Sequence, residues 1–336
     1  MQVTTIGLDL AKHVFQVHGV DAAGDVVLKR RLRRREVRTF FAGLKPCLVG
    51  MEACATAHFW AREIRALGHE VRLMPAQYVK AYLRRGKNDA ADAAAICEAV
   101  SRPSMRFVPV KGEAQQAALM LHRVRDLLVR QRTQLINAIR GHLAEFGIVE
   151  AQGPWNVVRL LAGLEQDGAV PELVRELIRL LAAQLAEVER RIGEVDARIV
   201  ARHKADPVSQ RLATIPGIGP LAATAIAATA PDPSAFRSGR EFAAWLGLVP
   251  RQNSTGGKTR LGRTSRQGDG YIRRLLVIGA QSVLYCSKAA RVNPWVQGLL
   301  ARRPRTVVAV ALANKTARIA WAVLARRAPY KIAAAA

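Results

Sequence analysis

Cysteine is scarce. The 336 residues hold four, at positions 47, 54, 97 and 286, and no two form a C-x-x-C pair. A disulfide-stapled secreted scaffold is excluded, and the thiols are expected reduced and buried. Long uninterrupted apolar runs are also missing. The opening Met1-Gln2-Val3-Thr4-Thr5 has no basic leader, and Asp9 and Lys12 break the first apolar stretch. The most apolar late stretch, Thr306 to Ala325, holds Asn314, Lys315 and Arg318 in its middle, too costly inside lipid. No membrane partner and a cytoplasmic, nucleoid-associated location are therefore expected. Acidic residues are the third shortage: 26 against 52 Lys and Arg, a formal charge of +26. So much positive charge calls for a polyanion, so nucleic acid is the first candidate partner and a small-molecule enzyme is not the default. A disordered basic tail is excluded, because half of the residues are hydrophobic.

Charge and periodicity divide the chain into three. Residues 1–104 hold 17 basic and 10 acidic residues, 105–205 hold 15 and 12, and 206–336 hold 20 and 4. The last third is expected to be the main polyanion surface. In the first, Val3–Leu10, Val14–Val20 and Asp25–Leu32 read as a three-strand meander, turning at Asp21-Ala22-Ala23-Gly24. Short strands at Leu48–Met51 and Val71–Met74 alternate with helices at Ala57–Leu67, after Pro75 and at Ala90–Val100. That pattern predicts an α/β domain with a mixed sheet. In the middle, apolar residues recur at spacings of three or four from Ala117 to Phe146 and from Leu177 to Ile199. These predict a coiled-coil hairpin or dimerisation arm, with an ordinary helical bundle as the alternative. The last third reads as mostly helical.

Four carboxylates carry the chemistry. Asp9 and Glu52 each end an apolar strand, in Gly7-Leu8-Asp9-Leu10-Ala11-Lys12 and Gly50-Met51-Glu52-Ala53. Asp89 and Asp92 stand three apart in Lys87-Asn88-Asp89-Ala90-Ala91-Asp92, so a helix would put both on one face. Four acids gathered at one sheet end would repel, and hard divalent cations would relieve them. Taken singly, each has a structural explanation: a helix cap for Asp89, a first-turn acid for Asp92, a turn for Asp9. Their combination in one α/β unit of a basic chain favours a metal site.

In the last third, Thr214-Ile215-Pro216-Gly217-Ile218-Gly219-Pro220 lies between two helical stretches. Its Gly217 and Gly219 could turn backbone N–H groups toward phosphate, as in a helix-hairpin-helix element, or simply link two helices. The segment Gly256-Gly257-Lys258-Thr259 fails as a nucleotide-binding loop, because Gln252 stands where the first glycine belongs and no clear strand leads in. Ser254 sits beside those glycines, among Arg251, Lys258, Arg260 and Arg263, cations suited to phosphoryl oxygens. A serine is a weak nucleophile and needs a base or metal, and no histidine is near in sequence. Arg273 and Arg274 read equally as phosphate contacts or a solvated face.

These segments resemble the RuvC-like DEDD transposases of the IS one-ten insertion-sequence family, relatives of the Piv DNA invertases. The resemblance covers essentially the whole chain. It implies an RNase H-like fold for 1–104, with Asp9, Glu52, Asp89 and Asp92 as Mg²⁺ ligands for one or two ions. It implies dimerisation helices at 105–205 and a transposase domain at 206–336 with Ser254 as nucleophile. Thr255 intervenes where many members read Ser-Gly, so Ser265 is the reserve candidate. The resemblance also implies double-stranded DNA as donor and target, a guide RNA from the element's non-coding end, and a homodimer or tetramer. The expected function is a recombinase acting through a phosphoserine link. The alternatives are a Mg²⁺-dependent junction endonuclease without a covalent intermediate, and a non-catalytic nucleic-acid binder.

Overall fold

The computed structural model describes residues 2–83, 89–166, 170–230, 232–287 and 293–331. The chain divides into two compact units, Met1–Ala114 and Gln115–Ala336. The middle helices therefore cluster with the last third and not as a unit of their own.

The first unit is built on β1 (Thr5–Asp9), β2 (Val14–Val20), β3 (Val26–Arg33), β4 (Leu48–Glu52) and β5 (Glu70–Met74). They form one sheet in the order β3-β2-β1-β4-β5. The first three are an antiparallel meander, while β4 is parallel to β1 and β5 to β4. Alternation in β1 and β2 sends Ile6, Leu8, Phe15 and Val17 to one face. There they meet α1 (Val37–Ala42) and α2 (Ala57–Ala66) through Val37, Phe41, Trp60 and Ile64.

The opposite face takes a short helix α3 (Ala76–Val79) and the alanine-rich α4 (Asp89–Val100). Two glycines let α4 lie directly on the strands. Gly7 and Gly50 are register partners on β1 and β4. A Cβ at Gly7 would sit 2.0 Å from the Ala93 carbonyl oxygen, and one at Gly50 would sit 2.6 Å from Val100. Close approach at this pair fixes where the start of α4 stands relative to the ends of β1 and β4.

The second unit begins with α5 (Glu113–Ala144), nearly all of it within that unit, α6 (Val157–Gln166) and α7 (Glu172–Ala205). The two long helices run antiparallel. Arg125 pairs with Asp196, Leu128 packs with Val188 and Ile192, and Ile139 clusters with Ile178 and Leu185. Helix α6, unforeseen in the sequence, fills the far end through Val157, Leu160 and Leu164. The remainder is α8 (Pro207–Ala213), α9 (Pro220–Thr229), α10 (Gly239–Trp245), a hairpin of β6 (Pro250–Gln252) and β7 (Leu261–Thr264), α11 (Gly270–Cys286) and helices Pro294–Leu300 and Arg305–Arg326. Among the described residues, Arg305–Arg326 is long and apolar enough to cross a membrane. In this unit it is a core helix, with Ala313, Ala317, Ala320 and Leu324 packed in one cluster with Phe242 and Leu276.

Candidate active site

Asp9 and Glu52 end neighbouring parallel strands, each one residue past the paired Leu8 and Met51. Asp89 and Asp92 occupy the first turn of α4. Carboxylate oxygens of Asp9, Asp89 and Asp92 lie within 4.8 Å of one another. Glu52 stands just outside this set of three but feels its charge. Burial, then the charges of Asp92, Asp89 and Glu52, push the Asp9 carboxyl up to about 6. Burial and Asp92 raise Glu52 as well, against the pull of Lys80. Crowded acids held in this way are what a cation would relieve: the donors are hard carboxylate oxygens, and burial and mutual repulsion both oppose their charge. The residues fit a divalent ion.

The glycine-rich stretch corrects the expectation of a loop without a leading strand. It is a β-hairpin, with Pro250 opposite Thr264 and Gln252 opposite Leu261. A bridge between Thr255 and Lys258 closes its tip, where Gly256 and Gly257 take φ of +55° and +75°. Two consecutive left-handed residues make a tight hairpin turn that side chains resist. A phosphate-binding loop would run into a helix; this one returns as β7. Ser254 is exposed on the hairpin. Its Oγ accepts hydrogen bonds from the Arg260 backbone N–H at 3.1 Å and from Gln252 Nε2 at 3.2 Å. Both contacts use the oxygen as acceptor and leave the hydroxyl proton uncommitted to either partner. Arg251, Lys258, Arg260 and Arg263 are all exposed on the same hairpin. Ser265 differs sharply. It is 8% exposed, and its Oγ is shielded with no partner among the described residues.

The segment Thr214–Pro220 is a tight turn between α8 and α9, with Gly217 at φ +86°. Gly217 lies against Gly279 of α11: a Cβ on Gly279 would fall 1.9 Å from the Gly217 carbonyl oxygen. This turn borders an open hollow of about 450 Å³ shared with Gly279 and Ser282. Gly219 precedes α9, and a Cβ there would meet open space. Arg273 and Arg274 depart from a phosphate-facing pair. Arg273 Nη1 donates to the carbonyls of Leu246 (2.9 Å) and Gln267 (2.8 Å), tying α10 to the turn after the hairpin. Arg274 pairs with Asp126 and stacks on Tyr271. Their guanidinium groups serve internal contacts, which sequence spacing alone does not reveal.

Two features escaped the sequence reading. His122 of α5 is buried between Thr224 and Tyr271, at 3.2 Å from each hydroxyl. Burial, with Arg125, lowers its imidazole to about 4. A lone histidine on an apolar helix gives no signal of such partners. The other is a run of seven Lys and Arg among residues 29–38, legible in the sequence but overshadowed by the charge of the last third.

Residues 6–148 match the DEDD transposase family of IS110 type, described as Transposase. Residues 209–293 match the Transposase IS116/IS110/IS902 family. A probable family 20 transposase of Pseudomonas aeruginosa is 53% identical over 98% of this chain and 99% of its own length. The transposase for insertion sequence element IS1328 of Yersinia enterocolitica is 45% identical, covering 96% of both chains. That for IS1111A of Coxiella burnetii is 39% identical over 99% of this chain and 92% of its own. The mixed five-stranded sheet is thus the RuvC-like fold of a DEDD domain, a domain type that points to divalent-metal use, and DNA is its substrate. The chain belongs to the IS110 family of insertion-sequence transposases, enzymes that cut DNA strands and transfer them.

Proposed function

We propose that this transposase is Mg²⁺-dependent and exchanges strands through a phosphoserine link formed by Ser254. The observation that carries the reading is the meeting of Asp9, Asp89 and Asp92 oxygens within 4.8 Å, with Glu52 adjoining. These four residues would hold one or two Mg²⁺ ions, which supply Lewis-acid stabilisation of charge on phosphoryl oxygens. The Ser254 Oγ forms a bond to phosphorus, and the bond from phosphorus to a deoxyribose oxygen breaks. The serine proton ends on the departing sugar oxygen. A hydroxyl of a second strand then attacks the same phosphorus and returns the proton to Ser254, so bond energy is conserved without nucleotide hydrolysis. Arg251, Lys258, Arg260 and Arg263 steady the phosphoryl oxygens. Exposure favours Ser254 over the shielded Ser265, since a nucleic-acid phosphate cannot reach a hydroxyl without solvent access.

Labour divides along the chain. Residues 1–104 supply the acids, 105–205 join protomers, and 206–336 carry the nucleophile and a helix-hairpin-helix contact at Gly217 and Gly219. The exposed Leu173, Leu177 and Leu180 on α7, with Trp155 and Val158 nearby in sequence, support a homodimer or tetramer joined through the arm as a coiled coil. The net charge of +26 supports a guide RNA beside DNA. Incubation of labelled DNA with protein and Mg²⁺, followed by a denaturing gel, tests the reading. Wild type is expected to give a covalent adduct, and Ser254→Ala none. Cleavage without adduct in both would establish a hydrolytic endonuclease instead.

A further inference from the structure

The first unit carries a second cationic feature, on the edge strand β3. Lys29, Arg30, Arg31, Arg33, Arg34, Arg35 and Arg38 are all exposed. Register sorts three of them onto one face. Asp9 of β1 pairs with Gln16 of β2, and Gln16 pairs with Arg31 of β3. Gly7, His18 and Lys29 form the adjoining row, and Val14 pairs with Arg33. Residues two apart share a face, so Lys29, Arg31 and Arg33 stand on the side where α4 lies and where the acids gather. Burial, and after it the charge of Lys29, depresses the His18 imidazole, in keeping with that placement. Arg30 and Arg34 go the other way. Arg30 stacks over Phe40, and Arg34 over Phe15 and Trp60. Among the described residues, none of Lys29, Arg31 and Arg33 forms an ion pair with a carboxylate.

We infer that Lys29, Arg31 and Arg33 form a phosphate rail for the DNA strand whose phosphodiester enters the acid centre. The dimensions suit it. Two strand spacings, about 10 Å, separate Arg31 from Asp9 across the sheet. That equals about three nucleotide steps at 3.4 Å rise. Alternate residues on β3 follow at about 6.8 Å, about two such steps. The acids repel a DNA backbone, and the rail offsets this by holding neighbouring phosphates on the same face. The inference rests on the reading of the acids as the cutting centre. Edge-strand charges also deter edge-to-edge pairing of sheets. That role would leave DNA binding untouched, and so it is an outcome of the test.

Binding of the full chain to a fluorescein-labelled 30-mer duplex is measured by anisotropy in EDTA, across a salt series. Arg31→Ala/Arg33→Ala is expected to flatten the slope of log K against log salt by about 1.8, and to weaken binding about 30-fold at 0.15 M salt. Arg31→Lys/Arg33→Lys should restore the slope. Arg30→Ala/Arg38→Ala, an equal charge loss on other faces, should leave it unchanged. An unchanged slope in the first variant, or an equal loss in the opposite-face pair, overturns the rail. EDTA makes the result independent of metal binding and of cleavage. Asp92→Asn assayed for cleavage in Mg²⁺ tests the acid reading separately: cutting by that variant would remove the cutting centre and leave the rail's binding result standing.

Discussion

Replacing Asp9 with asparagine should stabilise the metal-free protein while abolishing strand cleavage. Asp9 is pushed from 3.8 to about 6 by burial and by three neighbouring carboxylates. A raised carboxyl binds its proton more tightly folded than unfolded. The stability it contributes is present below pH 3.8 and is lost as pH rises through about 6. The full shift corresponds to roughly 3 kcal/mol at neutral pH. The site opens partly to solvent, and screening reduces this to about 1–2 kcal/mol. Asparagine has nearly the same shape, keeps an oxygen for the Leu10 N–H and carries no charge. In EDTA at pH 7.5, urea denaturation should therefore show Asp9→Asn about 1–2 kcal/mol more stable than wild type. At pH 4 the two should converge. Adding Mg²⁺ should raise the wild type and leave the variant nearly still, because binding needs the carboxylate that asparagine lacks. A variant equal to or weaker than wild type in EDTA at pH 7.5 would refute the claim that these acids are held against their own repulsion.

Gly7→Ala should cost about 2–3 kcal/mol and cleavage together, since its Cβ would lie 2.0 Å from the Ala93 carbonyl and force α4, with Asp89 and Asp92, off the strand; thermal melting and a nicking assay read both effects. Ser265→Ala should keep the covalent adduct and leave stability unchanged or about 1 kcal/mol higher, because it removes a shielded hydroxyl that has no partner; loss of adduct on a denaturing gel would move the nucleophile to Ser265. His122 should make the second unit acid-sensitive. Its lowered imidazole keeps full stability above pH 6.5 and loses about 3 kcal/mol as pH falls to about 4. Urea midpoints of wild type and His122→Gln should therefore differ in pH slope across that window. Leu177→Glu, on an exposed position of α7, tests the proposed joining of protomers: sedimentation velocity should show smaller species than wild type with the melting temperature unchanged, and identical species would refute that joining.

How much of this was legible in the sequence follows from the range of the forces involved. The meander, the two parallel strands and the long helices were readable because each writes its own period into the chain: Phe15 and Val17 two apart, and Val188, Ile192, Val195 and Ile199 three or four apart. The acid centre was half legible. Asp9 and Glu52 betray themselves as charges at strand ends, and Asp89 and Asp92 as a pair on one helix face. What makes them one site is the glycine pair under α4, and Gly7 and Gly50 lie 43 positions apart with nothing local to join them. The hairpin around Ser254 was obscured for the opposite reason. Its strands are three and four residues long and exposed, so no apolar alternation marks them; only the Gly-Gly turn does. Arg273 and Arg274 show where composition misleads. In a region of 20 basic and 4 acidic residues, every arginine looks like a phosphate contact. Arg273 is spent on two carbonyls 27 and six residues away. Charge counts report what a surface attracts, but an arginine's five donors go first to whatever unsatisfied acceptors the fold leaves beside it. The same reasoning separates β3 from α11: among the described residues Lys29, Arg31 and Arg33 form no ion pair with a carboxylate, which is why the inferred rail is placed on β3 and not on α11.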